Sequence, residues 1–145
     1  MSESVLRPAA VNDAAEIHEL LLRLATDIPL ALETLEKEEA LYAAIRKILA
    51  FAQSWVAFDG KVIAGVVLVD AAEVGRHWGE NELLNLRYAA GEEVNALLAK
   101  VLERNVPITA SVRDANTSGL AALLENFGFR ETDTRVGEHR FRREP

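Results

Sequence analysis

At 145 residues the chain has the length of one ordinary domain, and half of its residues are apolar, enough to bury one sizeable core. A formal charge of −7, from 16 Lys and Arg against 23 Asp and Glu, argues against nucleic acid or an anionic membrane as partner, since both need a basic face. Cysteine is absent, which excludes disulfides, thiolate nucleophiles and Cys-ligated zinc.

Residues 1–145 contain no internal repeat or Pro/Gly-rich linker, so they are expected to form a single domain. No run of about 18 apolar residues occurs, and Met1-Ser2-Glu3-Ser4 lacks the basic-then-apolar opening of a signal peptide. The expected location is the cytoplasm.

Val5-Leu6-Arg7-Pro8 reads as an edge strand, because Pro cannot donate to a ladder. Asn12-Asp13 followed by Glu16 offers helix-capping chemistry, and Ile17, Leu20, Leu21 and Leu24 then share one helical face. Pro29 interrupts that pattern. A second helix is predicted over about 33–51, with Leu41, Ile45, Ile48 and Leu49 as its stripe.

The period then changes. Ser54 to Phe58 and Lys61 to Val69 read as two strands around Asp59-Gly60, a pair suited to a type I′ turn. The second of these strands is apolar on both faces and belongs inside a sheet. A loop with Gly75, Arg76, His77, Trp78 and Gly79 leads to a fourth strand over Glu82–Tyr88, where Leu84, Leu86 and Tyr88 alternate with Asn85 and Arg87. A helical stripe (Val94, Leu97, Leu98, Val101, Leu102) precedes a strand over 107–112, and such a strand, helix, strand unit favours parallel pairing. Asn116 or Thr117 can cap a further helix that Gly128 ends, and two short strands near 129–132 and 138–142 close the chain.

Leu6-Arg7-Pro8-Ala9 with Asn12-Asp13-Ala14, the hairpin Asp59-Gly60-Lys61-Val62-Ile63-Ala64-Gly65, and Leu123-Leu124-Glu125-Asn126-Phe127-Gly128-Phe129 resemble, in order and over nearly the whole chain, three stretches of the GNAT acyltransferase superfamily. The resemblance implies an α/β fold: a mixed sheet of about seven strands with four helices, splayed between its fourth and fifth strands. It also implies acetyl-CoA as donor substrate, lodged in that opening along Leu86, Arg87, Tyr88, Ala89, Ala90 and Gly91, with Asn116 at the pantetheine arm. Departures from the family pattern are specific. Where members carry Arg/Gln-x-x-Gly-x-Gly/Ala for the pyrophosphate, this chain has Ala89-Ala90-Gly91-Glu92-Glu93-Val94, and the Tyr that often protonates the leaving thiolate aligns with Leu124.

Direct transfer to an amine needs a polarised carbonyl, a placed amine and a base. By its place at the start of the fourth strand Glu82 resembles the family's base, with Glu80 in reserve; the plain alternative is a solvated strand entry. Tyr88 is the candidate replacement acid, or else a core residue. His77 and Trp78 sit in a Gly-flanked loop suited to an acceptor pocket. His18, His77 and His139 lack metal-ligand spacing, so no metal is expected. The expected function is acetyl-CoA-dependent N-acetyl transfer to an amine of a small molecule or peptide. The alternative is a GNAT-fold domain that has lost transfer and serves as a binding module or homodimer interface.

Overall fold

The structure, a computed structural model, describes residues 5–23, 35–50, 54–71, 84–104, 106–113, 119–135 and 138–144. The strands are β1 (Val5–Pro8), β2 (Trp55–Phe58), β3 (Ile63–Ala71), β4 (Leu84–Gly91), β5 (Ile108–Arg113), β6 (Arg130–Arg135) and β7 (Glu138–Arg143). The helices are α1 (Ala14–Arg23), α2 (Leu35–Ala50), α3 (Val94–Leu102) and α4 (Leu120–Asn126). One sheet takes the strands in the order β1-β2-β3-β4-β5-β7-β6. Among the described strands only β4 and β5 run parallel, across the α3 crossover, as expected for a strand, helix, strand unit.

The two faces of the sheet carry separate cores. Ile17, Leu20 and Leu21 of α1 and Leu41, Ile45, Ile48 and Leu49 of α2 recur at three- and four-residue spacing, and they bury against Val56, Val66, Leu68 and Ala90. On the other face Leu97, Leu98 and Val101 of α3 and Leu124 of α4 meet Val67, Leu84, Leu86, Ile108, Val112 and Phe141. β3 feeds both, with Val66 and Leu68 to one side and Val67 and Val69 to the other, which is why its sequence is apolar throughout.

The N-terminal edge is held by charge. Arg7 donates from both terminal nitrogens to the two Asp13 carboxylate oxygens, at 2.8 and 2.9 Å, and Ala10 N–H donates to Asp13 Oδ2 at 2.8 Å. Asp13 thus closes the 3-10 turn Val11–Asp13 that precedes α1. Glu16, one turn on, accepts from Ile63 N–H at 3.1 Å and ties α1 to β3.

The connection between β2 and β3 differs from the type I′ turn expected. Gly60 has a positive φ of 99° but Asp59 does not. Instead the Asp59 carboxylate accepts from the Lys61 and Val62 amides, at 2.8 and 2.9 Å, and this side-chain closure replaces the two-residue turn with a four-residue one. At the end of α4, Gly128 adopts φ 90° and ends the helix as predicted; Phe129 N–H donates to Leu124 carbonyl at 3.0 Å, and Phe129 is buried in the core. Among the described residues no helix is long and apolar enough to cross a membrane.

Candidate active site

The sheet opens where β4 leaves β5. The parallel ladder joins Leu84 to Ile108, Asn85 to Thr109 and Leu86 to Ala110, and stops there. β4 continues to Gly91 in register with β3, and β5 continues to Arg113 in register with β7. The facing edges beyond Leu86 and Ala110 therefore diverge and bound a slot.

A β-bulge sits at the same point. Leu68 stands opposite Tyr88 and Val69 opposite Leu86, so Arg87 is an extra residue on β4. A bulge bends its strand and increases its twist, which turns β4 away from β5 where the ladder ends. It also changes which face the side chains occupy. Leu84, Leu86 and Ala89 lie with the α3 core, whereas Tyr88 and Ala90 pack with the α1/α2 core. The alternation read from the sequence placed Tyr88 with Leu84 and Leu86; the extra residue puts it on the opposite face, partly buried beside α1 and α2.

That face is polar at the fork. Asn85 and Thr109 point there by alternation with Leu84, Leu86, Ile108 and Ala110, and Thr109 Oγ1 donates to Asn85 Oδ1 at 3.0 Å. Arg87 Nη1 lies 3.5 Å from Asp70 Oδ2, and Asp70 stands opposite Asn85 in the register. Burial pushes the Asp70 carboxyl above its ordinary range, against the opposing pull of Arg87 and of Lys47 from α2. Sequence reasoning missed Asp70. Its signal was available: it is the lone acid closing the apolar run of β3.

On the β4 side the mouth of the slot is the turn from β4 to α3, which consists of Glu92 and Glu93. Ala89, Ala90 and Gly91, aligned by sequence with a phosphate-binding loop, are instead strand residues paired with Val67, Val66 and Gly65. Gly91 has φ 89°, and a Cβ on it would lie 2.3 Å from the Ala64 carbonyl oxygen. Glu92 N–H donates to that same oxygen at 2.9 Å. Glu93 caps α3 in the left-handed conformation, with φ 63°, and makes no side-chain capping bond. Both glutamates are exposed. Such a turn does not fit a diphosphate: it is two residues long, one of its amides is already bonded to β3, and its side chains are anionic.

On the α4 side Leu124 is fully buried in the core. Glu80, Glu82, His77, Trp78 and Asn116 lie outside the described residues. Of the residues named from sequence, the structure brings Leu86, Arg87, Tyr88, Ala89, Ala90 and Gly91 together along one side of the slot. An open cleft between α1 and the β2–β3 turn, lined by Glu16, Glu19, Leu22, Arg23, Val62 and Ile63, shares none of them.

No protein-family model matches the chain, and no curated protein matches it in sequence. Solved structures do match in fold. A PaiA N-acetyltransferase from Thermoplasma acidophilum in complex with coenzyme A is 15% identical, with a TM-score of 0.70 and all of both chains covered. A GNAT-family acetyltransferase from Streptococcus agalactiae is 14% identical, with a TM-score of 0.72, covering 98% of this chain and 95% of that one. An apo agmatine N-acetyltransferase mutant is 11% identical, with a TM-score of 0.74, covering 97% and 98%.

Proposed function

From a chain with the GNAT acyltransferase fold, we propose an N-acetyltransferase that moves an acetyl group from a pantetheine thioester, with acetyl-CoA as reference donor, to an amine of a small molecule or peptide. The observation that carries this reading is the short β4–β5 ladder, which stops after Leu86 and Ala110 while each strand runs on in register with its other neighbour. A pantetheine arm is an extended chain with amides, and it can complete such an edge as a strand would.

The donor's thioester supplies the reactive carbonyl, and the chain supplies position and protons. Backbone N–H groups of β4 beyond the bulge polarise the carbonyl, a role that costs no reorganisation because β3 fixes the strand. Tyr88, beside the fork, is the proposed acid for the leaving thiolate, since Leu124 has no proton to give. Two carboxylates compete for the role of base toward the amine: Glu82, by its place in the sequence, and Asp70, on the polar face beside the bulge. His77 and Trp78 are proposed to line the acceptor pocket, and Asn116 to contact the pantetheine arm. The acidic balance of the chain suits a cationic acceptor in the cytoplasm.

The test is free thiol released from acetyl-CoA and from S-acetylpantetheine over a panel of primary amines, alongside thermal shift with each donor. Amine-dependent thiol release is expected, and Tyr88→Phe should lower kcat by about 10- to 100-fold without lowering Tm by more than a few degrees. No thiol release and no shift with either donor at millimolar concentration would sink the proposal. A second reading, a catalytically degenerate domain that serves as a binding or dimerisation module, is favoured by Leu124 and by Glu92 and Glu93; donor binding without thiol release would select it.

A further inference from the structure

The fork and its mouth disagree about the donor. The fork, where β4 and β5 cease to pair after Leu86 and Ala110, suits an extended acyl-pantetheine arm, whereas the β4–α3 turn opposes the diphosphate that follows this arm in coenzyme A. We propose that this chain recognises its donor through the acyl-pantetheine arm alone, and that the Glu92–Glu93 turn discriminates against the adenosine diphosphate end. This rests on the acetyl-transfer reading and narrows its donor to acyl-pantetheine thioesters.

Three observations carry it. The first is length: β4 keeps its register with β3 as far as Gly91, and α3 begins at Val94, so two residues span the mouth. A loop that wraps an anion needs several consecutive amides free to turn toward it. Here Glu92 N–H is already bonded to Ala64 carbonyl at 2.9 Å.

The second is that the turn is locked in place. A Cβ on Gly65 would lie 1.8 Å from the Glu92 carbonyl oxygen, and one on Gly91 would lie 2.3 Å from the Ala64 carbonyl oxygen. Two backbones meet here at a distance that only glycine permits, so the turn is pressed onto β3 and not held out over the slot. Lifting it to embrace a ligand would break the Glu92–Ala64 hydrogen bond and open this packed contact.

The third is charge. The first amides of α3 would attract an anion, but both residues immediately before them are glutamates. Exposed carboxylates at the start of a helix use up that attraction themselves and repel a diphosphate directly. Pantetheine has no charge, so the same turn is indifferent to it.

The deciding experiment is calorimetric titration of S-acetylpantetheine and of acetyl-CoA into the wild-type chain, at low and at physiological salt. S-acetylpantetheine is expected to bind more tightly than acetyl-CoA at low salt, because the turn repels the diphosphate. Raising salt should strengthen acetyl-CoA binding, through screening of the repulsion, and leave S-acetylpantetheine unchanged. The double substitution Glu92→Gln with Glu93→Gln should tighten acetyl-CoA by about three- to tenfold at low salt and leave S-acetylpantetheine unaffected. Acetyl-CoA binding as tightly as S-acetylpantetheine or more tightly, or weakening with salt as an attractive phosphate site would, overturns the inference and leaves acetyl transfer standing. Binding of neither donor overturns both.

Discussion

The two halves of the sheet are built differently. From β2 to β4 the strands bury side chains on both faces, between α1 and α2 on one side and α3 on the other. From β5 through β7 to β6, among the described residues, no side chain joins the α1/α2 core; Ile108, Ala110, Val112 and Phe141 all bury on the α3/α4 face. The halves are joined by three rungs of parallel ladder. A double-sided half forms a rigid wall, a single-sided half can lean away from it, and the gap between them is where a ligand enters. In this chain the slot is therefore a consequence of unequal packing, and its position is set by the Arg87 bulge.

The firmest way to break this contrast is at Gly65, in the wall. Gly65→Ala places a methyl group where the Glu92 carbonyl sits, so either β3 or the turn has to move. The expected loss is about 3 kcal/mol or more, measured by urea unfolding, with the m-value unchanged. Gly60→Ala is the matched control. Its Cβ would meet open space, but φ 99° is unfavourable for alanine, so about 1 kcal/mol is expected from the backbone alone. Equal losses at the two positions would mean that the turn is not seated on β3 and is free to lift toward a ligand.

Much of the wall was legible in the sequence. The apolar run of β3, the helical stripes of α1 and α2 and the Gly128 terminus each state one local rule, and the fold obeys it. The fork was legible only through resemblance, because nothing in Leu84–Gly91 announces a bulge: Arg87 is neither glycine nor proline, and strict alternation through it puts Tyr88 on the wrong face. The mouth was half legible. Gly91 signalled a special backbone, but the left-handed Glu93 carries no signal, and acids before a helix usually mean only favourable dipole chemistry. Asp70 was passed over because a charge at the end of an apolar run reads as the strand leaving the core. Its register opposite Asn85 and its contact with Arg87 are tertiary facts.

A smaller effect is expected at the outer edge of the wall, where Asp13 holds Arg7 and the Ala10 amide together. Its bond to Arg7 holds the carboxyl below the usual carboxylate range, with the Ala10 hydrogen bond adding to this. A depressed native pKa contributes stability that is present above the unfolded value, about 3.9, and is lost as pH falls through the native one. Asp13→Asn should therefore cost about 1–2 kcal/mol at pH 7 and progressively less below pH 4, in unfolding experiments run across that range. A loss that stayed constant with pH would assign the effect to packing and not to charge.

The smallest effect has the opposite sign and lies at the junction of the halves. Asp70 is held above its ordinary range by burial, and Arg87 and Lys47 only partly offset this. A raised native pKa contributes stability that is full below the unfolded value and lost as pH rises through the native one, so Asp70 once ionised is a mild burden on the fold. Asp70→Asn removes that burden while keeping the shape of the side chain. A gain of a few tenths of a kcal/mol is expected at pH 7, shrinking to nothing at pH values where the wild-type carboxyl is protonated. Turnover then gives the residue its role. If Asp70 takes the amine proton, the stabilised variant should lose kcat and the acid limb of its pH profile, with KM for the donor unchanged, while Glu82→Gln keeps that limb. If Glu82 is the base, the two variants should exchange these behaviours. A substitution that stabilises the junction and slows transfer would show the polar face of the fork carrying a cost in stability for the sake of chemistry, which the double-sided wall beside it has no reason to bear.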